Sequence, residues 1–552
     1  MRRRDLTTRL LASTAGVAAA SLVTPAAQAQ TCVPPCFAQT PSEAAAKITP
    51  TNTSYAPGDV RRYGAVGTGS TDDSPALRSA FGSGANVFIP TDFNCGISTE
   101  ITCAIPNITV SGGGRISFYS YPTGGNVFAV YVSASGVSFT DIAFDGSQIT
   151  SPISATNIAF IYANYQASGL SVSRCKFTNL PFGAGYVQAA VTTVSNLQDC
   201  DYPTCSQPSF CSVTDSYFSG NPGSIFFQGA NCIASGNRIA SPHDSSIVLN
   251  GPACVGCVIV GNTITNSPTQ NVASALIAVE EAAAGWVIAD NNLMGVYSSG
   301  ISVLNVNITS LAVGGVIKGN VINGGGGTAH DPIALINVSP DYQNVLIENN
   351  QLYGLSSGVA SSALIVASVN GGTIRNNYLD STTAGAVASN VILRAGSPSS
   401  SGPTPGLTVE GNVSVATGNG RHYLFLAGNY GSGVVTFEGG KTYGGSIGID
   451  AEFNISAITN LTLYVVNLLD NTATTILSAA TLLGSRSTFL SSSWRCPHSI
   501  KIRTDMYGSG IPTTGTWYQG DVVRNLAPIA TGAAQWHCTF GGTPGTWTAL
   551  TL

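Results

Sequence analysis

The chain has 552 residues, only 9% of them charged, with 63 glycines and a formal net charge of −5. This profile excludes a coiled coil and a charge-driven disordered chain, and five lysines in the whole sequence supply no basic patch for nucleic acid. It suits a β-structure with hydroxyl and amide outer faces, either one long solenoid with additions or roughly two to four ordinary domains.

Residues 1–29 read as an export signal. A basic head, MRRRDLTTRL, precedes a mild apolar run and an A-x-A ending, with cleavage expected after Ala29. Its Arg-Arg pair followed by Asp-Leu resembles a bacterial twin-arginine signal, so the mature chain is expected in the periplasm or secreted. No segment approaches the ~18 apolar residues of a membrane span. Thirteen Cys fit an oxidising compartment. Close pairs are Cys32/Cys36, Cys95/Cys103, Cys200/Cys205, Cys211/Cys232 and Cys254/Cys257, while Cys496 and Cys538 are placed to close the C-terminal region. Spacing alone does not give their connectivity.

Residues 30–56, rich in Pro, Ala and Thr, read as a linker. Next, Thr71-Asp72-Asp73 before Ser74-Pro75-Ala76-Leu77 predicts a helix over about 72–82, polar at its start with Pro in the first turn. Asn86–Pro90 reads as the strand that follows. The stretch D-V-x-x-Y-G-A-x-G-x-G-x-T-D-D-x-x-A from Asp59 resembles the N-terminal signature of the pectate-lyase superfamily of right-handed parallel β-helices, which includes pectin-degrading enzymes and phage tailspikes. The resemblance implies an all-β, right-handed parallel β-helix over residues 57–495 whose end this segment caps. It makes Asp59, Tyr63, Gly64, Asp72 and Asp73 structural.

A repeated phrase supports the same architecture. From about residue 205 to 412 an apolar stretch, a short step ending in Asn and another apolar residue recur, at Asn237, Asn262, Asn292, Asn320, Asn350, Asn377 and Asn412. The segments are short and rich in Val and Ile, the signature of strands in stacked coils, each adding about 4.8 Å along the axis. The Asn row is expected to hold tight left-handed corners and to hydrogen-bond as a ladder. A row of sugar-binding amides is the alternative. An irregular insertion interrupts the coils at about 181–210, and residues 456–495 read as closing strands.

Residues 500–552 form a separate segment containing Trp517, Trp536 and Trp547. Its G-T-W-x-x-G-D-V-V pattern resembles a small β module at the C-termini of phage tail and bacterial β-helix proteins. Its aromatics either form a small core or, as with Trp517 and Trp536, present a platform for sugar rings.

The polygalacturonase set N-T-D, D-D, G-H-G, R-I-K and the pectate-lyase W-x-D-H pattern are absent from the coils. The resemblance therefore lends a fold and not an active site. Aligning the coils on their second strands puts Asn250, Glu280, Asn305 and Asn337 in one vertical file, with Arg394 further along. Glu280 interrupts an amide file, Glu281 follows it, and His243-Asp244 and His330-Asp331 precede their strands at matching positions. In so uncharged a chain this is the candidate site, with turn caps and a solvated corner as the alternative. Hydrolysis of a glycosidic bond needs an acid and a second carboxylate; elimination needs a base and a group that neutralises a uronate. His243 or His330 suits the base, and Arg394 or Asn250 the neutraliser. Asp244, Glu280 and Glu281 suit a Ca²⁺ cluster. Arg421-His422-Tyr423 and Asp450 with Glu452 are second choices. The expected function is cleavage or modification of a polysaccharide, with a non-catalytic glycan-binding or adhesive β-helix as the rival.

Overall fold

The computed structural model describes residues 36–551 with breaks, the longer ones at 182–186, 194–206, 267–274, 305–311, 325–333, 355–362, 383–388, 395–405, 454–459, 480–487 and 492–504. The expected export signal, the Cys200/Cys205 pair and most of the insertion lie outside the described residues. Among the described residues, no helix is long and apolar enough to cross a membrane.

Three long parallel sheets of 15, 14 and 16 strands make the body, and the chain visits them in turn, one strand per sheet per coil. The molecule is a right-handed parallel β-helix. The first sheet runs from Thr68–Asp72 to Leu469–Asp470, the second from Ile101–Cys103 to Thr475–Ala479, and the third from Val87–Phe88 to Thr488–Ser491. In the first sheet the three-residue strands bury their middle residue, and strict register stacks those residues. Phe144, Phe177 and Phe218 lie one above another, with ring centroids 5.0 and 4.9 Å apart. Ile239, Ile264, Leu293, Ile322, Leu352 and Leu379 continue the file. Burying each such side chain contributes about 1.5–3 kcal/mol, so the shared interior supplies what no single coil has.

The corner between the third and first sheets carries the Asn ladder. Asn237, Asn262, Asn291, Asn320, Asn350, Asn377 and Asn412 are buried, and each of the first six donates its Nδ2 to the Oδ1 of the next at 2.9 Å. Each Oδ1 also accepts the preceding rung's backbone N–H at 2.9–3.0 Å. Two details correct the sequence reading. The ladder member of the DNN phrase is Asn291, whereas Asn292 begins a strand and is exposed. The left-handed conformation belongs to the residue before each ladder Asn: Gly236, Gly261, Asp290, Gly319, Asn349, Asn376 and Gly411. The ladder Asn serves hydrogen bonding, and its predecessor serves the turn.

The N-terminal cap uses the signature residues structurally. Asp73 accepts from Val66 N and Gly67 N at 2.7 and 3.1 Å, Asp72 accepts from Ser74 and Ser98, and Asp59 bonds Arg61. A Cβ on Gly58 would lie 1.9 Å from Asn86 O, so glycine is required there. The predicted helix forms as Ser74–Gly82. Part of the expected linker is folded: Pro41–Ala45 is a helix whose buried Glu43 pairs with buried Arg62 at 2.7 Å and accepts from Tyr63 Oη at 2.8 Å.

The close pairs Cys95/Cys103, Cys211/Cys232 and Cys254/Cys257 are not bridged: all six thiols are free and buried. Cys211, Cys232 and Cys257 each precede an aligned third-sheet strand and pack as small apolar side chains in a core file that continues at Trp286. A disulfide holds Cys36. Cys538 is a free, buried thiol, and its expected partner Cys496 lies outside the described residues.

The C-terminal module is a four-stranded sheet of Asp505–Gly508, Val522–Asn525, Ala533–Phe540 and Thr546–Thr551. Trp517 and Trp536 are buried in its core with Val523 and Cys538, and Trp547 packs edge-on to Trp517 at 4.8 Å. Their assignment as sugar platforms is therefore corrected: a module this small uses its indoles to make a core at all.

Candidate functional site

On the second sheet, Ile247–Asn250 and Ala275–Glu280 alternate between the core and the outer face. Ile247, Leu249, Ile277 and Val279 are buried in the core. Val248 and Ala278 face outward into a separate apolar cluster that includes Phe226 and Tyr162, and Asn250 and Glu280 follow on that same outer face. The register pairs Asn250 with Glu280, and Glu280 with Leu304. One step below, Gln228 follows Phe227, which pairs with Leu249.

These side chains are joined. Gln228 Nε2 donates to Asn250 Oδ1 at 3.1 Å, and Asn250 Nδ2 donates to Glu280 Oε2 at 3.2 Å. Burial raises the Glu280 carboxyl above its ordinary value; the Asn250 amide works in the opposite direction, and the charges of Glu281 and Asp244 raise it further. Glu280 is thus a half-buried carboxyl whose pKa is raised by burial and by two neighbouring carboxylates. Asp244 is exposed and accepts from Ser245 N at 2.7 Å, while its own N–H donates to Pro222 O at 2.7 Å. The neighbouring His243 ring is half-buried, and burial lowers its pKa, keeping it neutral.

Glu281 sits in the turn after its strand at φ 52, where the preceding coil has Gly251 at φ 98. The left-handed region disfavours a side chain, and the cost of a non-glycine residue there is about 1 kcal/mol or more.

The expected file is only partly correct. Asn250 and Glu280 are neighbours, as read. Asn305 lies outside the described residues, and Leu304 takes the rung next to Glu280. Asn337 pairs with Ser302, two positions earlier, so it aligns with Ala278 rather than Glu280. His330 and Asp331 lie outside the described residues. Arg394 ends the strand Ser389–Arg394 in register with Leu426, and its side chain is not among those described. Among the described residues, no group of three or more His, Cys, Asp or Glu side chains is arranged to hold a metal ion.

Of the second choices, His422 and Tyr423 are buried. His422 Nδ1 lies 2.8 Å from Ser414 Oγ, which accepts from Asn390 Nδ2 at 2.7 Å, and its Nε2 lies 2.9 Å from Gly444 O. Ser414 continues the aliphatic file above Leu379, so this polar chain fills the core where the aliphatic residues stop. Asp450 and Glu452 lie on the strand Ile447–Phe453, whose side chains are not described. Sequence reading missed Gln228. Its signal was available, since the segment ending IFFQ aligns with those ending VLN and AVE.

No family model matches this chain, and no curated protein matches it. Solved structures resemble it at low identity. The A-module of a mannuronan C-5 epimerase from Azotobacter vinelandii is 15% identical, with 75% of this chain and 99% of that one covered at a TM-score of 0.43. The catalytic unit of an alpha-1,3-glucanase from Streptomyces thermodiastaticus is 15% identical over 78% of this chain and 71% of that one, with a TM-score of 0.46. A tailspike mutant of E. coli bacteriophage HK620, in complex with a hexasaccharide, is 11% identical over 87% and 89%, with a TM-score of 0.49.

Proposed function

We propose that this chain is an exported enzyme that cleaves a polysaccharide laid along the outer face of the second sheet. The observation that carries the reading is Glu280, a half-buried carboxyl bonded by Asn250 and raised by burial, Glu281 and Asp244. A carboxyl whose pKa is raised by its surroundings is suited to act as general acid for a leaving glycosidic oxygen. Exposed Asp244, whose charge Glu280 senses, is the second carboxylate of such a pair. Hydrolysis is thus the first reading. Elimination is the second, favoured by a neutral His243 beside Asp244, since a neutral imidazole is a competent base.

The test is incubation of the exported chain with a panel of soluble polysaccharides that includes mannuronan and alpha-1,3-glucan. New reducing ends without ultraviolet-absorbing unsaturated sugars support hydrolysis. Unsaturated ends support elimination through His243. Retention on a polysaccharide with no product supports the glycan-binding rival.

A further inference from the structure

The first sheet carries an exposed face of its own, separate from Glu280 on the second sheet. Its three-residue strands bury the middle residue and turn the first and third outward. At three successive rungs the outward first residues are Lys176, Tyr217 and Arg238, in strict register. Lys176 and Arg238 are exposed, and Tyr217 is half-buried between them. The Lys176 ammonium lies 5.9 Å from the centroid of the Tyr217 ring, a cation–π contact that holds the charge over the sheet. Two rungs separate the two cations, about 10 Å along the axis. Beside them the outward third residues are Thr178, Ser219 and Ala240, two hydroxyls and a methyl.

The nearby carboxylates are engaged elsewhere. Asp145 pairs with Arg115 at 3.6 Å and Asp141 with Arg174 at 2.9 Å, while the charge of Asp215, in the corner before Tyr217, acts on Arg174. Lys176 and Arg238 form no ion pair among the described residues. In a chain of net charge −5, two exposed cations without carboxylate partners, in line along the axis with an aromatic ring between them, complement an anionic ligand that runs the same way.

We propose that this face binds an acidic polysaccharide laid along the axis. Lys176 and Arg238 take two anionic groups of the polymer, Arg238 through the paired N–H donors of its guanidinium. Tyr217 positions Lys176. The shared chemistry is an anion carried on a sugar, either carboxylate or sulfate. Two cations suit such a sparsely charged chain, whereas a nucleic acid, with a phosphate at every residue, calls for a continuous basic track. The site holds polymer without acting on it, so it stands whether or not Glu280 is an acid.

The experiment is calorimetric titration of the full-length chain with polygalacturonate, dextran sulfate, neutral dextran and single-stranded DNA. The wild type is expected to bind one or both acidic polysaccharides and not dextran, with an affinity that falls as salt is added. Binding of polygalacturonate alone identifies carboxylate as the anion, and of dextran sulfate alone, sulfate. Arg238→Gln and Lys176→Gln change exposed side chains and should each weaken binding by about tenfold or more. Tyr217→Thr places at this rung the residue type that the same file carries two rungs on, at Thr263, and should weaken binding by releasing Lys176. Lys441→Gln, exposed at the far end of the same file, should bind as the wild type does. No binding of either acidic polysaccharide by the wild type would overturn the proposal. So would unchanged binding in both Arg238→Gln and Lys176→Gln, an equal loss in Lys441→Gln, or tighter binding of the DNA. Turnover is not read, so the result is independent of the proposal for Glu280.

Discussion

At the residue scale, the charge balance around Glu280 makes separable predictions. Its folded-state pKa is raised, so the folded chain holds a proton that the unfolded chain releases at lower pH. Stability therefore falls as pH rises from the free-glutamate value of about 4.3 toward the folded midpoint. Glu280→Gln removes that slope, and its melting temperature at neutral pH should equal or exceed that of the wild type; a marked drop would contradict the burial argument. Glu281→Gly acts on two readouts at once. Relief of the left-handed strain should raise stability by about 0.5–1 kcal/mol, and loss of the neighbouring charge should lower the Glu280 midpoint. A melting temperature that falls instead would show that the Glu281 side chain stabilises the turn.

At the element scale, the Asn ladder separates two residues that the sequence presents as equivalent. Asn320→Ala strips the partner from the Asn291 amide and from the Asn291 backbone N–H, both buried. At about 1–3 kcal/mol for each unsatisfied donor, chemical denaturation should show a loss of about 3 kcal/mol or more. Asn292→Ala, on an exposed side chain, should stay within about 0.5 kcal/mol. Equal losses would refute the ladder assignment. The repeat phrase made the coils, their axis and the Asn row legible, because a 2.0-residue alternation and a fixed corner chemistry recur in each coil. It left unresolved which Asn of DNN turns inward, because that depends on Asp290 taking the left-handed position. It also misplaced Asn337 by two positions, because a strand's last residue carries no information on register, and the match was lost after Leu304. Gln228 escaped notice although its segment aligns with those of Asn250 and Glu280, because its bond to Asn250 runs across coils and a single Gln at a strand end does not announce it.

For the whole molecule, the ends of the solenoid matter as much as its coils, since an uncapped coil exposes both its core and its strand edges. Glu43 ties the N-terminal segment to the cap. Burial opposes its charge, but the Arg62 guanidinium, the Thr40 N–H and the Tyr63 hydroxyl outweigh that cost and hold its pKa at about 2. Relative to a free glutamate this stabilises the fold by about 3 kcal/mol above pH 4.3, a contribution lost as pH falls toward 2. Glu43→Ala leaves Arg62 buried without its partner and should destabilise by about 3–5 kcal/mol at pH 7. An unchanged denaturation midpoint would mean that the segment is not part of the cooperative unit.

The measurement that bears most directly on the central claim is the rate of reducing-end release from the panel polysaccharide by wild type, Glu280→Gln and Asp244→Asn, each shown to be folded. Glu280 and Asp244 should each account for about 10²-fold or more of turnover, with little change in melting temperature. Turnover within a few-fold of wild type in Glu280→Gln would contradict the account and leave the face of the second sheet as a glycan-binding surface.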